Sequence, residues 1–104
     1  MIEKLKRAAE FLGYELTTQF GGEYFETKTE IIDINDFNPH EETGRHWLVE
    51  MVNKLTLIQF NEYLYKMQVT YKEGKLAKED FDFWKWFWTA PSKLCFEKIM
   101  EVIG

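Results

Sequence analysis

The chain has 104 residues, of which 45% are hydrophobic, 30% charged and 17% aromatic, with a formal net charge of −5 at pH 7. That length fits one domain, residues 1–104, able to bury roughly two thirds of its unfolded surface without a metal or a disulfide, and apolar residues spread along the chain exclude wholesale disorder. Cys95 is the only cysteine, so no intramolecular disulfide can form; no stretch approaches the ~20 apolar residues of a membrane span, and no basic stripe is present to neutralise nucleic-acid phosphates.

Ile2, Leu5, Ala8, Ala9 and Leu12 recur at helical spacing among charged residues, which predicts a helix over 2–12, closed by Gly13. Threonines and aromatics in Tyr14 to Phe20 and in Glu23 to Thr29 flank Gly21-Gly22, the signature of a hairpin whose tight turn needs positive φ angles. Glu30 to Ile34 extends the second strand or lies along an edge. Asp36-Phe37-Asn38-Pro39 marks the next helix start: Asn38 can cap, Pro39 suits the first helical position, and Glu41 and Glu42 favour the positive end of the dipole. The apolar face Trp47, Leu48, Met51, Val52 and Leu55 carries that helix over 39–55, with Gly44 weakening its first turns.

Residues 56–72 admit two periods. Leu57, Phe60, Leu64, Met67 and Tyr71 fit a helix, whereas Tyr63, Tyr65, Met67, Val69 and Tyr71 alternate as in a strand. Aromatic and β-branched content favours strand from about Tyr63, while 56–66 stays open between the two. A polar connection follows from Lys72 to Asp80. Six of the eight residues from Phe81 to Trp88 are then aromatic: Phe81, Phe83, Trp84, Trp86, Phe87 and Trp88. As a strand this segment loads both sheet faces with large apolar groups, and it is expected to be central and covered on both sides. Thr89-Ala90-Pro91 opens a third helix with Leu94, Cys95, Ile99, Val102 and Ile103 on its apolar face, where Cys95 reads as a small buried thiol. The expected fold class is α+β: a small, mostly antiparallel sheet packed between or against about three helices, an α-β-α sandwich.

Asp36-Phe37-Asn38-Pro39, followed by Trp47-Leu48-Val49-Glu50-Met51, resembles the central motif of the phage ABA sandwich domain family. Thr89-Ala90-Pro91-Ser92-Lys93-Leu94-Cys95 resembles that family's closing motif, and a first helix ending in Leu12-Gly13 before an aromatic hairpin matches its order. Lys72 to Asp80 is longer and more charged than the family pattern, and the tryptophan-rich segment is heavier. The resemblance implies a sheet between helical layers, a phage or prophage origin and a place in the cytoplasm of the bacterial host. It brings over no catalytic residue.

No catalytic or cofactor motif is present in the sequence, so neither an enzymatic activity nor a cofactor is expected. Glu42, His46 and Glu50 share one face at i, i+4 and i+8, a spacing that can contribute metal ligands but equally describes a solvated face. Asp33, Asp36, Glu41 and Glu42 could form an acid/base cluster only if one were desolvated. Ser92, the only serine, sits where a helix start accounts for it, and Gly21-Gly22 lacks the Lys-Ser/Thr of a phosphate loop. The charge distribution is the stronger functional signal. Residues 13–42 hold eight acids against one base, Lys28, a net of −7. The reading is therefore a protein-binding accessory protein, with a basic protein partner, an inhibited host protein among the candidates, meeting Glu23, Glu26, Glu30, Asp33 and Asp36. The rival from another class is a small-molecule or nucleotide-binding module that stacks its ligand on the aromatic strand; a carboxylate enzyme is the third.

Overall fold

A computed structural model describes residues 1–73 and 80–104, with the side chains of residues 80–82 outside the description. The chain is an α+β domain: helix α1 (Ile2–Phe11), strands β1 (Glu15–Gln19), β2 (Gly22–Glu26) and β3 (Ile31–Asp33), then helices α2 (Arg45–Lys54), α3 (Leu57–Glu73), α4 (Asp80–Thr89) and α5 (Ser92–Ile103). The three strands form one antiparallel sheet in the order β1-β2-β3. The core runs from the inner sheet face (Phe25, Ile32) through Phe37, Leu48 and Met51 to Met67, Phe96 and Ile99.

Helix α1 ends as its sequence dictates. Gly13 takes φ +85°, its N–H reaches the Glu10 carbonyl at 2.9 Å and the Tyr14 N–H reaches that of Ala9 at 2.9 Å. This double closure satisfies carbonyls that the helix leaves open, and it needs a left-handed residue that glycine supplies without a Cβ penalty.

The hairpin forms where expected, but its turn is one residue earlier. Gln19 pairs with Gly22, so the two-residue loop is Phe20-Gly21 rather than Gly21-Gly22. Both loop residues have positive φ, 50° at Phe20 and 77° at Gly21. That geometry matches the right-handed twist of the flanking strands, and Gly22 is free to begin β2.

The second helix also starts later than its Pro39 signal. Residues 38–44 instead form a tight corner ending in a 3₁₀ turn, Glu42–Gly44, and α2 begins at Arg45. Asn38 does not act as the cap; its amide donates to the Glu41 carboxylate at 2.9 Å and to the Thr43 hydroxyl at 2.8 Å. A Cβ on Gly44 would lie 2.0 Å from the Asn38 carbonyl oxygen. Glycine is therefore required by a close backbone approach, and it precedes the helix instead of weakening it. Met51 is buried as expected, and Trp47 is half-buried against Phe37, with ring centroids 5.0 Å apart.

The two expected strands beyond residue 63 are helices. Thr56 and Gln59 start α3 with a reciprocal capping box: the Thr56 N–H donates to Gln59 Oε1 at 2.9 Å and the Gln59 N–H to Thr56 Oγ1 at 3.1 Å. Tyr63, Met67 and Tyr71 then form the buried stripe of one continuous helix. In α4, Phe83 and Phe87 lie one turn apart and face the core. Phe83 packs on Tyr71 at 5.5 Å and Phe87 on Tyr63 at 5.8 Å, so α3 and α4 run antiparallel. Trp86 stacks on Tyr71 at 5.0 Å. The helix overturns the expected central strand; of its described aromatics Phe83 and Phe87 are buried and Trp86 half-buried, while Trp84 and Trp88 share the outer face at 43% and 72% exposure. The connection expected over Lys72 to Asp80 falls, from 74 to 79, outside the described residues, as do the side chains of Phe81 and Asp82.

The helical assignment separates two neighbours in the aromatic run. Phe87→Ala should destabilise the fold by about 3–5 kcal/mol, the range for a large aromatic truncated in a core. Trp84→Ala should stay within about 1 kcal/mol, as an outward residue does. Urea unfolding of both variants measures this, and equal losses would contradict the helix.

Candidate functional site

Two places bring candidate side chains together: the corner between α4 and α5, with the cavity beside it, and the sheet with its hairpin tip. The corner is held by the entry to α2. Arg45 Nη1 donates to the Ala90 carbonyl at 2.8 Å, to Ser92 Oγ at 3.0 Å and to Glu42 Oε2 at 3.3 Å, while Nη2 donates to the Trp88 carbonyl at 3.3 Å. Glu42 Oε1 accepts the Ser92 N–H at 2.8 Å. A cation thus serves the last carbonyls of α4 and an anion serves the first amide of α5, each at the dipole end that favours it. The Ser92 amide, then the Ser92 hydroxyl and the Arg45 guanidinium, hold the Glu42 carboxyl below its ordinary 4.5 despite some desolvation.

A cavity of about 230 Å³ opens beside this corner. Helices α2 and α3 each pack on α5, which forms its floor with Cys95 and Ile99. Leu48, Val49 and Val52 wall it from α2, Phe60 and Tyr63 from α3, and Phe87 and Trp88 from α4. Val49 and Trp88 are themselves largely exposed. Burial, and next the neighbouring Cys95 thiol, push the Tyr63 hydroxyl far above its ordinary value, so it stays a neutral phenol.

The five acids proposed as a partner surface are distributed differently from one another. Side chains alternate along the strands, and the pairing Glu15↔Glu26↔Ile31 and Thr17↔Tyr24↔Asp33 puts Glu15, Glu26 and Asp33 on the outer sheet face, opposite Phe25 and Ile32. Glu23 points to the helix side and meets Lys6 at 3.8 Å. Glu30 lies in the β2–β3 turn, which the Thr27 hydroxyl closes by accepting the Thr29 and Glu30 amides at 3.2 and 3.0 Å. Asp33 Oδ1 accepts the Asn35 amide at 2.8 Å, and Asp36 follows in the loop. The outer face therefore collects Glu26 and Asp33, adds Glu15, and leaves Glu23 out.

At the hairpin tip stands a residue that charge reasoning passes over. Phe20 is 99% exposed, at a left-handed φ of 50°. The two glycines that follow it signalled the turn, but only the register shows that a phenylalanine occupies it.

The remaining candidates do not converge. Glu42 is turned to Ser92, His46 stacks on Trp47 at 4.1 Å, and Glu50 accepts the Tyr14 hydroxyl at 3.0 Å. Burial together with Glu50 pushes the Tyr14 phenol up to about 12. Among the described residues no group of three His, Cys, Asp or Glu side chains could hold a metal ion. Cys95 is a buried free thiol, donating weakly to the Ala90 carbonyl at 3.8 Å. The expected stacking strand is absent, and its exposed rings are Trp84 and Trp88 of α4. No helix among the described residues is long and apolar enough to cross a membrane.

The corner has a pH signature. A carboxyl held below its unfolded value stabilises the fold above the ordinary glutamate range, and this contribution is lost as pH falls through the depressed value. Glu42→Gln should lower the melting temperature at neutral pH, and the parent and variant curves should converge under acid. Parallel acid limbs would contradict the cap. Arg45→Ala should cost about 2–3 kcal/mol, since it removes hydrogen bonds from a charged donor to partly buried acceptors.

No protein-family model matches the chain, and neither a curated protein nor a solved structure resembles it significantly.

Proposed function

We propose that the chain is a small phage-type accessory protein of the bacterial cytoplasm that binds a basic host protein through its acidic hairpin, with Phe20 as the apolar anchor. The single observation that carries this reading is Phe20: fully exposed at a two-residue turn, with a φ that L side chains rarely adopt. Asparagine or glycine suits that position better, and a fully exposed ring contributes nothing to the core. Strain of this kind concentrates at functional sites. The phage origin and the cytoplasmic setting rest on the likeness of residues 36–39, 47–51 and 89–95 to the phage ABA sandwich motifs.

Charge and ring divide the work of association. Glu15, Glu26 and Asp33 face out from the sheet, and no ion pair among the described residues engages them. A basic partner would be steered by them, and the gain would shrink as salt screens charges beyond roughly 8–10 Å. A single aromatic seated in a partner's apolar pocket is the type of residue that dominates interface energy.

Phe20→Asn should stabilise the isolated protein by about 1 kcal/mol, because asparagine tolerates the left-handed region. The same change should remove the protein that the parent cross-links from a bacterial lysate. With that partner purified, Glu26→Lys with Asp33→Lys should slow association at low salt and leave folding intact. A Phe20→Asn variant that is less stable, or that captures its partner at the parental rate, would overturn the reading.

A further inference from the structure

A second binding function lies away from the hairpin, in the cavity bounded by α2, α3 and α4 over α5. We propose that this cavity is a binding site for a neutral, apolar small molecule of about two fused rings, carrying one polar edge group. It stands on observations independent of Phe20 and of the acidic sheet.

Size sets the ring count. An apolar cavity of about 150 Å³ already takes a benzene. The cavity here measures about 230 Å³, which leaves room for a second fused ring. Val52, Phe60 and Phe87 give it apolar walls, and Trp88, at 72% exposure, offers an indole face at the edge. Small-molecule sites combine such walls with a few placed polar groups.

Polarity sets the charge. Arg45 is the only ionic side chain on the lining. Its guanidinium is already matched by the Glu42 carboxylate, two carbonyls and the Ser92 hydroxyl. An anionic ligand would have to break that network, and no lining carboxylate receives a cation. What remains for a ligand is the exposed Asn53 amide and the Tyr63 phenol, which burial and the neighbouring Cys95 thiol keep neutral. A phenol can donate or accept one hydrogen bond, so a ring N–H, carbonyl or hydroxyl on the ligand finds a partner there.

Shape separates this site from a surface for a protein segment. Its walls come from three helices, α2, α3 and α4, and its floor is α5, so a ring is contacted from several sides. The residue at the mouth that tolerates change is Val49, which is largely exposed on α2.

The test uses the whole protein with three probes, indole, naphthalene and indole-3-carboxylate, followed by two-dimensional NMR and by melting temperature. Indole should give saturable shifts at Val49, Val52, Tyr63 and Trp88 and raise the melting temperature, since a ligand that binds only the native state stabilises it by mass action. Naphthalene should shift the same residues more weakly, because it lacks the polar edge, and the carboxylate should bind at least tenfold more weakly than indole. Val49→Trp, which puts a ring in the mouth, should weaken indole at least tenfold. Ile58→Trp, which puts the same ring on an exposed position of α3 outside the lining, should leave it unchanged. The proposal is overturned if none of the probes gives saturable shifts at these residues, if Val49→Trp binds indole as the parent does, or if the carboxylate is the tightest probe.

Discussion

The helical layer depends on one ion pair set at a corner. Between Thr89 and Ser92 a helix end and a helix start fall within three residues of each other. Each leaves backbone groups without intrahelical partners, and burying them unpaired would cost more than the corner could recover. Arg45 and Glu42 answer both ends at once, and they hold each other in place at 3.3 Å. Their own position is fixed by the 38–44 corner, where Gly44 admits the Asn38 carbonyl and Pro39 and Phe37 are buried. Thus the segments around Pro39 and Pro91, distant in sequence, form a single structural unit. Once α5 is anchored there, it serves as the floor on which α2 and α3 pack and over which the cavity opens.

That unit also explains what the two motif-like segments do. Residues 36–39 and 89–92 are corners: the Asn38 amide bonds the Glu41 and Thr43 side chains, and Ser92 accepts from Arg45 while its N–H donates to Glu42. Their chemistry is structural, and the binding surfaces proposed here lie elsewhere, at Phe20 and in the cavity.

Legibility in the sequence followed the reach of each determinant. Helix α1 was readable because its closing glycine acts within five residues. The hairpin was readable too, but two adjacent glycines offered two turns, and only pairing with β2 chose Phe20-Gly21. Helix α3 was misread from Tyr63 onward because Tyr63, Met67 and Tyr71 are four apart, a spacing that satisfies period 2 and one helical turn alike. The Thr56/Gln59 capping box, with apolar spacing continuing to Tyr71, was the local signal that could have decided it. Helix α4 was misread because aromatics favour strands and the loading looked two-sided; in a helix the same residues split into Phe83 with Phe87 inside and Trp84 with Trp88 outside. The cavity had no sequence signal at all, since it exists only where four helices leave space. The acidic surface was legible as charge and illegible as geometry: alternation along β2 sends Glu23 and Glu26 to opposite faces.

The distribution of local costs points back to the hairpin. In the helical layer the choices agree with one another: Thr56 with Gln59 caps α3 and Glu42 caps α5, aromatic pairs between α3 and α4 lie 5–6 Å apart, and charges meet opposite charges. In the sheet they conflict. Glu15 stands directly across from Glu26, a like-charge pair that weakens strand pairing. Phe20 occupies a φ that its side chain opposes, and its ring is fully in solvent. Leu16 and Ile31, on edge strands β1 and β3, are also exposed. Folding alone gives no reason to place these residues together on so small a sheet, because each could be exchanged for a polar or turn-forming residue with no loss of core. Sequences that are locally consistent elsewhere tend to break their own rules where function asks for it. The conflict is charge of one sign on the outer sheet face and an apolar ring beyond it at the turn, and a basic surface with an apolar pocket is the partner that would relieve both.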